Sequence, residues 1–137
     1  MHEISPGLTE FAMRYTDAWC SQDPAKVAAF FVDEGSLTIN GGTPSVGRIA
    51  IGEAARSFMT AFPDLRVMMD RLVAVGAHVE YHWTLTGTNT GPGGTGRAVR
   101  ISGFESWRMG VDGLIEESMG RFDAEEYQRQ ISGGTRD

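Results

Sequence analysis

Three titratable side chains lie where they could exchange a proton with a bound molecule. Asp123 follows a predicted strand and opens an acidic, helix-favouring stretch, whereas His82 and Glu105 each lie inside a predicted strand. A carboxylate with a tuned pKa beside an apolar cavity can enolise a carbonyl compound. An imidazole can polarise the same carbonyl or relay the proton. These residue types therefore favour acid/base chemistry on a carbonyl group.

Asp123 and His82 also have structural interpretations, which the sequence leaves open. Asp123 could cap the last helix, because FDAEEYQ is itself a good helix start. His82 lies on the strand face opposite Tyr81 and Trp83. If that face is concave, its imidazole can reach a ligand; otherwise it is a hydrogen-bonded histidine in the core or at the rim.

Glu105 shares a strand face with two large apolar residues. By alternation its side chain lies on the same face as Ile101 and Trp107. A carboxylate is unusual on an apolar face unless it is paired or has a function. It could act in catalysis, or it could pair with Arg121 or Arg108 on a neighbouring strand. Both interpretations remain open at this stage.

Composition limits the classes of function. The 137 residues are 41% hydrophobic and 22% charged, as expected of a single domain, residues 1–137, with frayed ends at 1–6 and 132–137. The net charge of −6 argues against a nucleic-acid surface. Cys20 is the single cysteine and the three histidines lack metal-ligand spacing, so we expect no metal. With neither a membrane-spanning run nor a signal peptide, we expect a cytoplasmic protein.

Periodicity predicts helices at the beginning of the chain and strands after them. The predicted helices begin at Ser5-Pro6, at Asp23-Pro24 with Val27, Phe30 and Phe31, and near Arg48, and the third ends before Pro63. The predicted strands are 36–40, 65–75, 79–87, 99–109 and 114–122, and a short helix, 124–131, follows them. The glycine-rich segments 41–47 and 88–96 are predicted loops, the second of them mobile.

This order of elements is typical of an α+β fold. We expect one curved, mainly antiparallel sheet that wraps around the three N-terminal helices and encloses a cavity. The residues expected to bind a substrate there are Tyr15, Trp19, Asn40, Phe58, Phe62, Thr84, Trp107 and Met119.

Several short stretches, taken together and in order, resemble a known family. They are residues 19–23, 47–48, 61–65, 87–91, 103–108 and 112–117, followed by Asp123 and a helix that contains Gln130. The ordered set is similar to the SnoaL-like polyketide cyclases, within the superfamily of nuclear transport factor 2 and ketosteroid isomerase.

The resemblance implies a cone-shaped α+β barrel, usually a homodimer through the outer face of the sheet. It further implies an apolar small-molecule ligand and chemistry that needs no metal or cofactor. In such cyclases an acidic residue near the end of the last strand serves as general acid/base for an aldol closure. In this chain that residue would be Asp123.

The chain also departs from the family pattern. Some relatives carry an aspartate where this chain has Gly120, and the base of ketosteroid isomerases would fall near Ile39 or Asn40, neither of which can serve. The Arg and Asp of limonene epoxide hydrolases lie on the strand that here carries His82 and Thr84. A hydrolase of that kind is therefore not expected.

We accordingly predict a cofactor-free cyclase or isomerase for an apolar carbonyl compound. Asp123 would be the acid/base, assisted by His82 or Glu105. The alternative is a module of the same fold that binds a small molecule without transforming it, and the missing acid at Gly120 supports this alternative. No nucleic-acid or membrane partner is expected.

Overall fold

The computed structural model describes residues 4–133. In this range the elements are α1 (Pro6–Trp19), α2 (Pro24–Ala28), β1 (Phe31–Ile39), β2 (Ser45–Val46), α3 (Arg48–Ala61), β3 (Arg66–Val75), β4 (His78–Thr88), β5 (Ala98–Met109), β6 (Ile115–Phe122) and α4 (Ala124–Ser132). The α+β prediction is confirmed. Residues 1–3 and 134–137, part of the predicted frayed ends, lie outside the described residues.

The six strands form one curled sheet in the order β2-β1-β6-β5-β4-β3. Neighbouring strands are antiparallel except β1 and β6, which run parallel. The sheet does not close, because β2 and β3 are its two edges. Its inner face packs against the helices, and one core connects Tyr15 of α1 with Ile51 of α3 and Trp107 of β5.

The first helix forms where its caps predict. The Ser5 Oγ accepts a hydrogen bond from the Leu8 backbone N–H at 3.1 Å, and Pro6 occupies the first turn. The apolar stripe of α1 is buried against the sheet, with Tyr15 fully inaccessible and Trp19 7% exposed. The spacing of this stripe therefore fixes which side of α1 faces the interior.

The second predicted helix is wrong at its C-terminal end. It ends at Ala28, and Phe31 is already the first residue of β1, where it pairs with Ile115 of β6. The Ile115 N–H donates to the Phe30 carbonyl at 2.9 Å. Phe31 is in a strand because its backbone pairs with the parallel strand β6, more than 80 residues away in the chain, and this pairing overrides the local helical pattern.

The glycine-rich loop before β5 is held against α3. Asn89 is 7% exposed, donates from Nδ2 to the Ala61 carbonyl at 3.1 Å and accepts from the Thr95 N–H at 2.9 Å. A Cβ at Gly91 would lie 2.0 Å from the Thr60 carbonyl oxygen, so only glycine allows this close approach. The predicted loop therefore has a defined path.

Asn40 joins the end of β1 to the end of β6. Its backbone N–H donates to the Gly120 carbonyl at 2.8 Å, and its Oδ1 accepts from the Phe122 N–H at 2.9 Å. Its φ of 53° is a left-handed conformation, which asparagine tolerates better than most residues.

Two substitutions of Asn40 should separate its hydrogen bond from its backbone conformation. Asn40→Gly removes only the side-chain acceptor and should lower the free energy of unfolding by about 1–2 kcal/mol. Asn40→Ala adds left-handed strain and should cost about 1–2 kcal/mol more than the glycine variant. Urea unfolding measures both, and equal stability of the two variants would contradict the conformational part.

Candidate functional site

A cavity of about 60 Å³ lies between the inner face of the sheet and the helices. Its wall is almost entirely apolar and includes aromatic side chains from α1, α3, α4 and two strands, β4 and β6. The lining residues are Trp19, Leu37, Ile39, Phe58, Val67, Tyr81, Trp83, Leu85, Ile101, Glu105, Gly120, Arg121, Phe122 and Tyr127. Glu105 is the one acidic residue among them.

The Glu105 carboxyl group is buried and held by three donors. Its Oε1 accepts hydrogen bonds from the Tyr15 hydroxyl at 2.9 Å, the Trp107 Nε1–H at 2.9 Å and the Ser118 hydroxyl at 2.8 Å. Its Oε2 has only the longer contact with the Tyr15 hydroxyl, at 3.2 Å. Because three donors fill the lone pairs of Oε1, Oε2 is the oxygen with capacity for a ligand.

Three elements build this carboxyl site. Glu105 and Trp107 are two residues apart on β5 and therefore share its inner face. Ser118 comes from β6, and Tyr15 comes from α1 across the interior. The expected pairing with Arg121 or Arg108 is not formed, because in residues 4–133 the hydrogen-bond partners of Glu105 are all uncharged donors.

Gly120 lies directly beside Glu105. The two residues are cross-strand partners on β6 and β5. A Cβ at position 120 would lie 3.7 Å from the Glu105 Cγ, at ordinary contact distance. The resemblance implies that some relatives carry an acid at the position of Gly120. This position is therefore the cross-strand neighbour of Glu105, the acid that this chain places in the cavity wall.

Burial sets the protonation of the site. Burial raises the pKa of Glu105 above its ordinary value, although the hydrogen bonds from Trp107, Ser118 and Tyr15 partly offset the rise. Burial and the neighbouring Glu105 charge raise the pKa of Tyr15 well above its ordinary value. Tyr15 is therefore a hydrogen-bond donor at neutral pH, and Glu105 keeps its proton to a higher pH than an exposed glutamate.

Two more aromatic residues pack around the carboxyl group. Tyr81 stacks on Trp107 with ring centroids 4.9 Å apart, and its hydroxyl is 2.5 Å from the Thr16 Oγ1. In residues 4–133, Trp19 Nε1 is the one buried side-chain nitrogen or oxygen without a hydrogen-bond partner. It acts to lower the pKa of the nearby Tyr15 hydroxyl, although it does not reach hydrogen-bond geometry.

Asp123 lies outside the cavity wall. It is exposed, and its Oδ1 accepts a hydrogen bond from the Glu126 N–H at 3.0 Å, as the N-cap of α4. The capping interpretation accounts for this geometry. A catalytic role for Asp123 stays a prediction from the sequence.

His82 and Thr84 lie on the outer face of the sheet. The His82 Nε2 is 3.1 Å from Glu80 Oε1, and its ring stacks on Phe104 with a centroid distance of 5.3 Å. The Thr84 hydroxyl donates to Asp70 Oδ2 at 2.7 Å. Strand alternation explains their orientation, since Tyr81 and Trp83 of the same strand line the cavity on the inner face.

The other predicted binding residues divide between the wall and its surroundings. Trp19 and Phe58 line the cavity, while Tyr15 and Trp107 hold its carboxyl group. Phe62 is fully buried and contacts Tyr127 behind the wall. Met119 alternates with the inward Ser118 and Gly120 and so lies on the outer face, and Asn40 braces the strand ends.

Sequence reasoning missed Ser118 and Tyr127 as parts of the site. The Ser118 side chain lies on the inner face of the sheet because Ser118 is two residues before Gly120. Which face this is follows only from the register of β6 against β5. Tyr127 is the aromatic residue four positions after the helix cap Asp123, a spacing that could have indicated an inward side chain on α4.

Residues 4–133 contain no cluster of three His, Cys, Asp or Glu side chains that could ligate a metal ion. No helix in this part of the chain is both long and apolar enough to cross a bilayer.

Comparison with known proteins connects this geometry to a family. Residues 9–131 match the family model of the SnoaL-like polyketide cyclases. No curated protein sequence matched the chain.

Solved structures share the fold at low identity. A protein described as a SnoaL-like polyketide cyclase, from Jannaschia sp. CCS1, superposes with a TM-score of 0.83 at 18% identity, covering 98% of each chain. A ketosteroid isomerase-like protein from Catenulispora acidiphila, in complex with trimethylamine, gives 0.78 at 15% identity, covering 90% of this chain and 92% of its own. The epoxide hydrolase/cyclase-like enzyme of pyran ring formation in salinomycin gives 0.72 at 19% identity, covering 86% and 92%.

Replacement of Glu105 should change how stability depends on pH. A raised pKa means that the folded chain retains a proton that the unfolded chain releases above about pH 4.3. Its contribution to stability is therefore complete below that pH and is lost as the pH rises through the folded-state pKa, by at most about 1.4 kcal/mol per pH unit. Glu105→Gln removes this titration, so its stability relative to wild type should improve as the pH rises.

Urea unfolding between pH 4 and 8 measures this difference. Glu34→Gln, at an exposed position of the same sheet, is the matched control and should follow the wild-type curve. A constant difference between wild type and Glu105→Gln across the range would contradict the prediction.

Proposed function

The chain belongs to the SnoaL-like polyketide cyclase family, and we propose that it binds an apolar carbonyl compound and catalyses cyclase or isomerase chemistry with Glu105 as the acid/base. The observation that carries the proposal is the Oε2 of a buried carboxyl group, which has only the 3.2 Å contact with the Tyr15 hydroxyl, whereas Oε1 is fixed by three donors. The cavity wall around it is aromatic and aliphatic, which favours an apolar ligand.

The proposed reaction is a proton transfer followed by bond formation. In its ionised form Glu105 takes a proton at Oε2 from the carbon next to the substrate carbonyl, and the C–H electron pair forms an enolate. The enolate carbon then attacks a second carbonyl of the same molecule, and the new alkoxide takes the proton back from Glu105. An isomerase would instead return the proton to another carbon. Because Glu105 carries the proton in both directions, the proposal needs no cofactor.

The local environment suits Glu105 to this role. Burial raises its pKa, so its carboxylate is a stronger base than an exposed glutamate. Tyr15, Trp107 and Ser118 fix the carboxyl group and are positioning residues, because they contact Glu105 and not the cavity itself.

The size of the cavity limits what enters it. Pockets for drug-sized ligands measure about 300–1,000 Å³, and this cavity measures about 60 Å³. We therefore propose that only the reacting end of a substrate is enclosed. The similarity of fold to an enzyme of pyran ring formation supports ring-forming chemistry as the reaction class.

The second candidate is a binding module without chemistry. The observation that favours it is the placement of Asp123 and His82 outside the wall, which leaves Glu105 without a second carboxylic acid or a histidine beside the ligand. Such a module would bind small ketones and leave their protons in place.

We also propose a homodimer through the outer face of the sheet. Met68, Phe104 and Met119 place apolar side chains on this face, and Met68 is 43% exposed. A second copy of the face would cover them.

Light scattering tests the proposed dimer. Wild type should have twice the 14.9 kDa mass of one chain. Met68→Arg places a charge in the interface and should yield monomers. Met13→Arg changes a methionine of α1 that is 54% exposed and should leave the dimer intact. A wild-type monomer, or equal masses for both variants, would contradict the proposed interface.

Exchange of ketone protons for deuterium tests the acid/base. In D2O the wild-type protein should accelerate exchange at the carbons next to the carbonyl of cyclopentanone, followed by proton NMR. Glu105→Gln should lower this acceleration by about 10²–10⁴-fold. Asp123→Asn, which changes an exposed helix cap, should keep it.

A relocated carboxylate provides a stricter test of the same proposal. Glu105→Ala combined with Gly120→Asp places an acid on the partner position of the next strand and should recover at least about tenfold of the rate that Glu105→Ala loses. Loss of exchange in Asp123→Asn but not in Glu105→Gln would transfer the role to Asp123. Binding of cyclopentanone without exchange would support the binding module.

A further inference from the structure

We propose that Tyr127 determines the size of the ligand and that α4 is the wall that moves to admit it. This inference rests on the proposed function only in that the cavity takes a ligand; it does not depend on the reaction. It names a residue and an element that sequence reasoning did not connect with the site.

The Tyr127 ring closes the cavity on the side of α4. It packs edge-on against Phe122 at 5.4 Å and against Phe58 and Phe62 at 6.4 Å each, measured between ring centroids. Tyr127 is the residue that α4 contributes to the wall. A shorter side chain at this position would therefore widen the cavity on this side.

The helix that carries Tyr127 is the least buried element of the wall. None of its residues is buried, whereas α1, α3 and strands β3, β4, β5 and β6 each contribute buried residues. Elements with little buried surface open at the lowest free-energy cost. A movement that widens the cavity therefore begins most easily at α4.

A few polar contacts fasten α4 to the rest of the chain. The Gln130 side chain accepts from the Arg100 N–H at 2.7 Å and donates to the Arg100 carbonyl at 3.0 Å. The Thr95 hydroxyl donates to the Ile131 carbonyl at 2.5 Å. These contacts lie at the C-terminal end of the helix, so α4 can swing about its N-terminal end at Asp123 when they break.

The cavity volume makes such a movement necessary before any but the smallest ligands can be enclosed completely. An engineered cavity of about 150 Å³ is known to hold benzene, and the cavity here is about 60 Å³. A six-membered ring therefore fits only after a wall moves or a wall residue is shortened. Among the wall residues, Tyr127 combines a large side chain with a surface helix.

A series of cyclic ketones tests this role through binding alone. Cyclopentanone, cyclooctanone and cyclododecanone are titrated into the protein, and the indole N–H signal of Trp83, one of three tryptophans and a lining residue, reports binding. Wild type should prefer cyclopentanone to cyclododecanone by at least about tenfold in affinity. Tyr127→Ala should reduce or reverse that preference by at least about tenfold.

Two further substitutions keep the test decisive. Tyr127→Phe retains the ring and should keep the wild-type size preference. Tyr127→Trp enlarges the ring and should lower the affinity even for cyclopentanone. Alanine is the best helix former, so Tyr127→Ala should leave α4 folded, and circular dichroism checks this. Gln130→Ala should make both association and dissociation faster, a result that a merely structural role for the helix does not predict.

The result that overturns the inference differs from the one that overturns the proposed function. An unchanged size preference in both Tyr127→Ala and Tyr127→Trp would overturn it, and so would a failure of all three ketones to bind the wild-type protein. Loss of deuterium exchange in Asp123→Asn rather than in Glu105→Gln would overturn only the acid/base role of Glu105. A size preference that follows Tyr127 would then still stand.

Discussion

Burial of the Glu105 carboxyl group costs free energy that hydrogen bonds from its own strand and from two other elements offset. The Tyr15 hydroxyl, the Trp107 indole and the Ser118 hydroxyl supply them from α1, β5 and β6. Because an unpaired buried carboxyl group is strongly unfavourable, these donors tie α1, β5 and β6 together at one point in the interior. The second carboxyl oxygen, Oε2, has only the longer contact with the Tyr15 hydroxyl, at 3.2 Å.

The cavity follows from that arrangement. Strand alternation places Glu105 and Trp107 on the concave side of β5, and Gly120 opposite Glu105 leaves room that a larger side chain would occupy. Gly120 departs from the pattern of some relatives, which weakens a simple comparison with them. The same glycine leaves room for Glu105 of the neighbouring strand, β5, to place its carboxyl group in the cavity wall. In this chain the carboxylate in the cavity wall is that of Glu105 on β5.

The residues that local sequence makes most prominent lie at the margins of the site. Asp123 follows the hairpin and begins a helix, and the structure gives its carboxylate to the Glu126 N–H. His82 alternates with Tyr81 and Trp83, which take the inner face, so the histidine stacks on Phe104 outside. For His82, strand alternation separates the two faces but does not show which of them is concave. A catalytic role for Asp123 stays a prediction.

The sequence by itself determined the α+β class, the family resemblance and most of the helices and long strands, because periodicity, caps and turns are local properties of the chain. It also indicated that Glu105 shares a strand face with Trp107, where a carboxylate must be paired or have a function. Only the tertiary structure showed that a set of uncharged donors stabilises the buried Glu105 carboxyl group. It also showed that Phe31 lies in a strand, paired with Ile115, and that Tyr127 closes the cavity. These outcomes depend on pairing and packing between residues far apart in the chain, where no local pattern carries the information.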